Sequence, residues 1–115
     1  VKRFSWIKDA HKPILGICSG MHLIGLVFGG KLKKGTEVGL FYEVFKPFLG
    51  LKRKKEVYHL HNYYIDFRKM KEFEVYSKGK IPQAIRHRHR EVYSVLFHPE
   101  VRNGEVIAEF LKSKR

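Results

Sequence analysis

At 115 residues the chain has room for one domain with one modest core. Apolar residues at 43% and aromatics at 14% exclude a disordered polymer, and the single cysteine excludes an intramolecular disulfide. With 24 Lys+Arg against 11 Asp+Glu the formal charge is +13, which suits either an anionic partner or the charge-rich surface of a heat-adapted protein.

Taken in order, residues 1–12 carry Phe4, Trp6 and Ile7 at helix-compatible spacing, and Pro13 stops that helix. Residues 13–18 (PILGIC) are apolar without alternation, the pattern of a strand buried on both faces of a parallel sheet. Met21, Leu23, Ile24, Val27 and Phe28 then recur with helical spacing until Gly29-Gly30 ends the run. The whole uncharged stretch 13–30 is interrupted by His22 and five glycines, too short and too broken to cross a bilayer, and no secretory signal precedes it. Segments 31–33 and 37–45 flank Gly35 and predict a hairpin turning there; 47–55 reads as a loop with a basic tail. Strands are predicted over 57–61, 73–77, 83–88 and 92–97, the last (VYSVLF) strongly β-prone. Asn103-Gly104 starts a final helix with Val106, Ile107, Phe110 and Leu111 on one face. No internal repeat, linker or low-complexity segment divides the chain, so 1–115 reads as one domain.

Two motifs carry chemistry. GICSG at 16–20 has the form Gly-x-nucleophile-x-Gly between a strand and a helix. Such an elbow holds its nucleophile in a strained turn, and Gly16 and Gly20 are expected to be small so that strand and helix approach. The positive end of the following helix favours the thiolate of Cys18, and the Ser19 N–H faces a developing oxyanion. The second motif, VLFHPE at 95–100, is an apolar strand running into His98-Pro99-Glu100. A cysteine nucleophile needs a base and the base needs an orienting group; His98 and Glu100, two apart across a stiff proline, supply both.

Together, PILGICSGMHLIGLVFGG and FHPEV resemble the class I (triad) glutamine amidotransferases, and the order of elements along nearly the whole chain is similar as well. The resemblance implies an α/β, three-layer sandwich around a mostly parallel sheet. It implies Cys18 as nucleophile, His98 as base and Glu100 as its orienter, with Gly16, Ser19, Gly20 and His22 around the oxyanion and substrate. It also implies hydrolysis of the glutamine side-chain amide through a γ-glutamyl thioester, ammonia delivery to a synthase partner, and no cofactor. Glu37-Val38-Gly39, YHLHN at 58–62 and Val101 after HPE are most similar to the amidotransferase subunits of GMP synthases. There His61 would face the synthetase. Anthranilate and aminodeoxychorismate synthase subunits are the competing subfamilies. The lone cysteine and the absence of a leader point to the cytoplasm.

Two departures from the family matter. His22 stands where the family has a glutamine that holds substrate, and imidazole is shorter and differently shaped. The family's N-terminal half, with a Gly-rich loop giving a second oxyanion N–H, has no counterpart before Pro13, so the domain is expected to be partial, processed or an excerpt of a longer chain. The 13–18 strand is expected to sit centrally beside 92–97, with its other side open, rebuilt locally or paired in a homo-oligomer. These departures support an alternative: an impaired amidotransferase relative acting as a scaffold or a basic nucleic-acid-binding module.

Two further patterns are weighed against that reading. His59/His61 and His87/His89 form same-face pairs on strands, but no Cys, Asp or Glu lies beside either in a known ligand spacing. Arg86, Arg88 and Arg90 would repel a cation, so no metal is expected. The basic clusters 31–34, 52–55, 86–90 and 112–115 fall at loops and element ends without a clear aromatic stripe, so nucleic acid is not the expected partner.

Overall fold

The computed structural model describes residues 2–113. Its centre is a four-stranded sheet in the order β1 (Ile14–Ile17), β6 (Val92–Val95), β5 (Ala84–His87), β4 (Phe73–Val75). β1 runs parallel to β6, with Ile14 opposite Val92 and Ile17 opposite Val95. The β6–β5 and β5–β4 pairings are antiparallel. Within the described residues the parallel share is therefore one pairing, where a mostly parallel sheet was expected.

Period-two alternation sorts this sheet into two cores. On one face Ile14, Ile85, Val92 and Leu96 pack with Met21, Ile24 and Val27 of α2 (Ser19–Val27) and with Ile7 of α1 (Trp6–Asp9). On the other, Leu15, Ile17, Ala84, Tyr93, Val95 and Phe97 pack with Val106 and Phe110 of α3 (Gly104–Ser113). Both faces of β6 are covered, which is why its sequence is apolar throughout but for Ser94; all four of its residues are buried. The result is the α/β, three-layer arrangement expected from the sequence.

The predicted first helix is shorter than its apolar spacing suggested. A 3-10 turn over Lys2–Phe4 precedes α1, and only Ile7 is buried; Trp6 is 56% exposed. Val1, and the last two residues of the basic tail, lie outside the described residues.

The largest correction concerns the β segment. Instead of turning at Gly35, the chain runs on as β2 (Leu32–Phe48), turns at Leu49-Gly50 and returns as β3 (Leu51–Ile65). Phe48 faces Leu51 across a two-residue turn whose central residues both have positive φ, 44° and 85°. That left-handed pair matches the right-handed twist of paired strands. Gly35 lies instead in a bulge between the Lys34 and Glu37 pairs, and a Cβ there would sit 2.8 Å from the Tyr64 ring. A second bulge, between the Phe45 and Phe48 pairs, contains Pro47, where a missing N–H is tolerated. Backbone bonds from Lys46 N–H to Tyr76 O and from Lys78 N–H to Val44 O fix this long hairpin to the end of β4. Asn103 donates its amide to Glu56 O and so ties the start of α3 to β3.

β1 lies at an edge of the described sheet, not at its centre: β6 pairs with one side, and no described strand pairs with the other. Its contact with α2 is close. A Cβ on Gly16 would stand 2.7 Å from Ile24 Cδ1 and 2.8 Å from Ser94 Oγ, whereas one on Gly20 would meet nothing within 4 Å. Of the two elbow glycines, packing requires only the first. Gly16→Ala will therefore cost about 1–3 kcal/mol through overpacking. Gly20→Ala, inside α2, will be neutral or stabilise by up to about 1 kcal/mol. Thermal melts of the two variants check this ordering.

Candidate active site

Cys18 is placed by the end of β1 and the start of α2. Its N–H donates to Val95 O at 2.9 Å, continuing the β1–β6 ladder, while its carbonyl accepts from Met21 N–H and His22 N–H in the first turn of α2. One residue thus ends a strand and opens a helix, and its backbone takes φ 53° and ψ −104°. For a non-glycine residue that conformation costs on the order of 1–3 kcal/mol and persists only where the surroundings impose it. Here the strand ladder and the helix impose it from opposite sides.

His98 stands three residues past Val95, at the same end of the neighbouring strand. Its backbone N–H donates to Tyr58 O at 2.8 Å. Its ring Nδ1 lies 2.7 Å from Glu100 Oε2. With Nδ1–H donating to the carboxylate, Nε2 keeps its lone pair, the arrangement of an oriented base. Partial burial pushes the Glu100 carboxyl up, but the hydrogen bond from His98 and smaller contributions outweigh it and hold the group below its ordinary value. Glu100 is therefore ionised at neutral pH.

β3 forms a wall beside both residues. The Cys18 thiol donates to Leu60 O at 3.5 Å, two residues along β3 from the carbonyl that holds His98. At about 3.3 Å per residue those carbonyls are roughly 7 Å apart, so one strand holds the Cys18 thiol and the His98 backbone at neighbouring points. Among the described residues the thiol bonds to Leu60 rather than to the His98 ring. Burial raises the thiol above its ordinary value; the Ser19 N–H pulls it down, and the Glu100 carboxylate adds to the rise. The Ser19 N–H at the helix end favours thiolate, in the direction expected, but burial is the larger effect.

His22, in the first turns of α2, is anchored on the same wall. Its Nε2–H donates to Tyr63 O at 2.8 Å. Burial lowers its pKa, the Tyr63 carbonyl opposes that, and nearby His61 adds to the lowering, so the ring is neutral at pH 7. His61 does not face outward as expected. Its side chain is fully buried, with Nε2 2.9 Å from Glu37 Oε1. The hairpin register places Glu37 opposite His61, and Glu43 reaches His59 Nε2 at 2.9 Å. Carboxylates therefore do stand beside the His59/His61 pair, supplied by the facing strand. Sequence reading missed them because it placed the turn at Gly35, which leaves Glu37 and the histidines unpaired. It also missed the carbonyls of Tyr58, Leu60 and Tyr63, which have no side-chain signature.

The glutamine amidotransferase class-I family model matches residues 1–114. A subunit of the glutamine-hydrolyzing GMP synthase from Pyrococcus abyssi is 34% identical over 113 residues, covering 88% of this chain and 57% of its own length. In three dimensions, a Thermoplasma acidophilum protein described as a GMP synthase subunit superposes with a TM-score of 0.83 at 28% identity, over 93% of this chain and 59% of that one. A glutamine amidotransferase from Thermotoga maritima shares the fold, with a TM-score of 0.71 at 18% identity over 94% of this chain and 48% of that one. The chain thus spans rather more than half the length of the GMP synthase subunits it matches.

The electrostatics of the thiol give a direct test. The pH midpoint for alkylation of Cys18 by iodoacetamide will lie above the roughly 8.5 of a free cysteine. Glu100→Gln will lower that midpoint, because it removes a negative charge that opposes thiolate formation. A wild-type midpoint below the free value would mean that the helix end outweighs burial after all.

Proposed function

Because the chain belongs to the class I glutamine amidotransferases, we propose that Cys18, His98 and Glu100 form the triad that hydrolyses the side-chain amide of glutamine. The observation that carries this reading is the strained Cys18 turn lying one strand away from an imidazole already oriented by a carboxylate. In the reaction, Sγ exchanges the Leu60 carbonyl for His98 Nε2, which takes its proton. The thiolate adds to the amide carbon, and the oxyanion faces the Ser19 N–H. His98 returns the proton to the departing nitrogen, so ammonia leaves and a γ-glutamyl thioester remains. Water, deprotonated by His98, then cleaves the thioester and frees glutamate and the thiol. Glu100 keeps Nδ1 protonated and stabilises the imidazolium.

Gly20 leaves open space over the start of α2 where the substrate would lie. Neutral His22, with Nε2–H committed to Tyr63, offers its remaining nitrogen as an acceptor only, so it would hold a substrate N–H and not a carbonyl. The ammonia would pass to a synthase of the GMP synthase type, by likeness to the relatives. One observation favours a second reading: the thiol is raised and bonded to Leu60, as in an impaired relative serving as a scaffold.

A glutamine-analogue electrophile separates the two. On the triad reading, mass spectrometry finds the adduct on the Cys18 peptide, and Cys18→Ser abolishes both labelling and glutamine hydrolysis with little change in melting temperature. Glu100→Gln slows labelling by roughly 10²–10⁴, through loss of imidazole orientation. An unlabelled Cys18 in folded protein would leave the scaffold reading in place.

A further inference from the structure

Away from the thiol, the hairpin encloses a second cluster. Ligand atoms of Glu37, His59 and His61 all lie within 4.8 Å of one another. Both imidazoles are fully buried, and Glu37 and Glu43 are mostly so. His59 Nε2 donates to Glu43 at 2.9 Å, so in the neutral ring Nδ1 is the nitrogen with the lone pair. That Nδ1 is buried without a hydrogen-bond partner, and it points across 3.9 Å at Glu37 Oε1, which is also an acceptor. In that tautomer two acceptors face each other, and a cation between them, a proton or a metal ion, would satisfy both. His61 Nε2 donates to the same oxygen at 2.9 Å, and its buried Nδ1 has no hydrogen-bond partner. Gln83 closes the cluster: its amide N–H donates to Glu37 Oε1 at 3.1 Å and its own Oε1 is a further buried acceptor without a partner.

The geometry points to a site for a divalent transition metal, of which Zn2+ is the natural probe, held by His59 Nδ1, His61 Nε2 and the Glu37 carboxylate. Bonds of about 2.0–2.1 Å in a tetrahedron set neighbouring donors roughly 3.3–3.4 Å apart. The distances to Glu37, 3.9 and 2.9 Å, bracket that spacing, and with all donors within 4.8 Å the imidazoles must close in by about an ångström to bind. Coordination through His61 Nε2 moves that ring's proton to Nδ1, with no net proton change. Two neutral imidazoles and a carboxylate suit zinc, and the Glu43 bond to His59 Nε2–H is the outer carboxylate that fixes a ligating histidine's tautomer. The fourth position is left for water, with Gln83 Oε1 as its acceptor. Glu37 keeps 18% of its side chain exposed, which provides an entry path. None of this depends on the chemistry at Cys18.

The test is a titration of chelator-treated protein with Zn2+ at pH 7.5, followed by competition with a fluorescent chelator and by X-ray absorption at the zinc edge. The expected result is one Zn2+ per chain with a Kd of about 10 μM or tighter, and a spectrum of two imidazoles with oxygen and no sulfur. His59→Asn is expected to weaken binding more than roughly 100-fold and Glu43→Gln by roughly 10–100-fold, while Cys18→Ser leaves it unchanged. The wild-type spectrum decides the matter even if a variant fails to fold. No binding at about 100 μM Zn2+, or a sulfur ligand in the wild-type spectrum, would overturn the proposal. So would affinity unchanged in both His59→Asn and Glu43→Gln.

Discussion

Everything at the candidate site hangs on the parallel pairing of β1 with β6. Four residue pairs set it, and the pairing of Ile17 with Val95 delivers the two strand ends together. Cys18 then extends the ladder by one bond, and His98 follows three residues beyond. A slip of one residue would turn Leu15 and Ile17 out of their core. Gly16 reinforces the register. Its missing side chain admits Ser94 Oγ, which donates to Gly16 O at 2.8 Å in a buried bond. The same absence lets Ile24 of α2 approach, so one glycine serves both the strand pairing and the helix that follows the thiol.

The hairpin contributes through its backbone. Along β3 the carbonyls of Tyr58, Leu60 and Tyr63 hold the His98 backbone, the Cys18 thiol and the His22 ring. The side chains of His59 and His61 turn inward between them, while Leu60 is exposed. A single strand therefore separates two chemistries: thiol and base along its peptide groups, buried imidazoles and carboxylates on its side-chain face. The tight Leu49-Gly50 turn and the ties of β2 to the 76–78 segment keep this wall fixed against the sheet.

The distribution of acids in so basic a chain is informative. Only 11 carboxylates face 24 cationic side chains, yet Glu37, Glu43 and Glu100 each bond to a histidine. A partly buried carboxylate retains its charge only with such a partner. At the surface these pairs would contribute little to stability. Their work is to fix which ring nitrogen carries the proton, for His98 past the end of β6 and for His59 in the hairpin.

Much of this is legible in the sequence alone. The apolar runs at 13–18 and 92–97 identify strands covered on both faces, because a two-sided burial leaves little polar alternation. GICSG marks the turn at Cys18, because a strand meeting a helix that closely needs a glycine at 16. The α/β class and the family follow from the order of those motifs. What the tertiary structure decides is whatever depends on register across long separations. The hairpin turns at Leu49-Gly50 rather than at Gly35, since the turn is set by how two long strands pair and not by the glycine alone. That register brings Glu37 to His61, turns His61 inward, and lays Leu60 O against the thiol. A sequence names donors and acceptors, but only pairing between distant segments determines which of them meet.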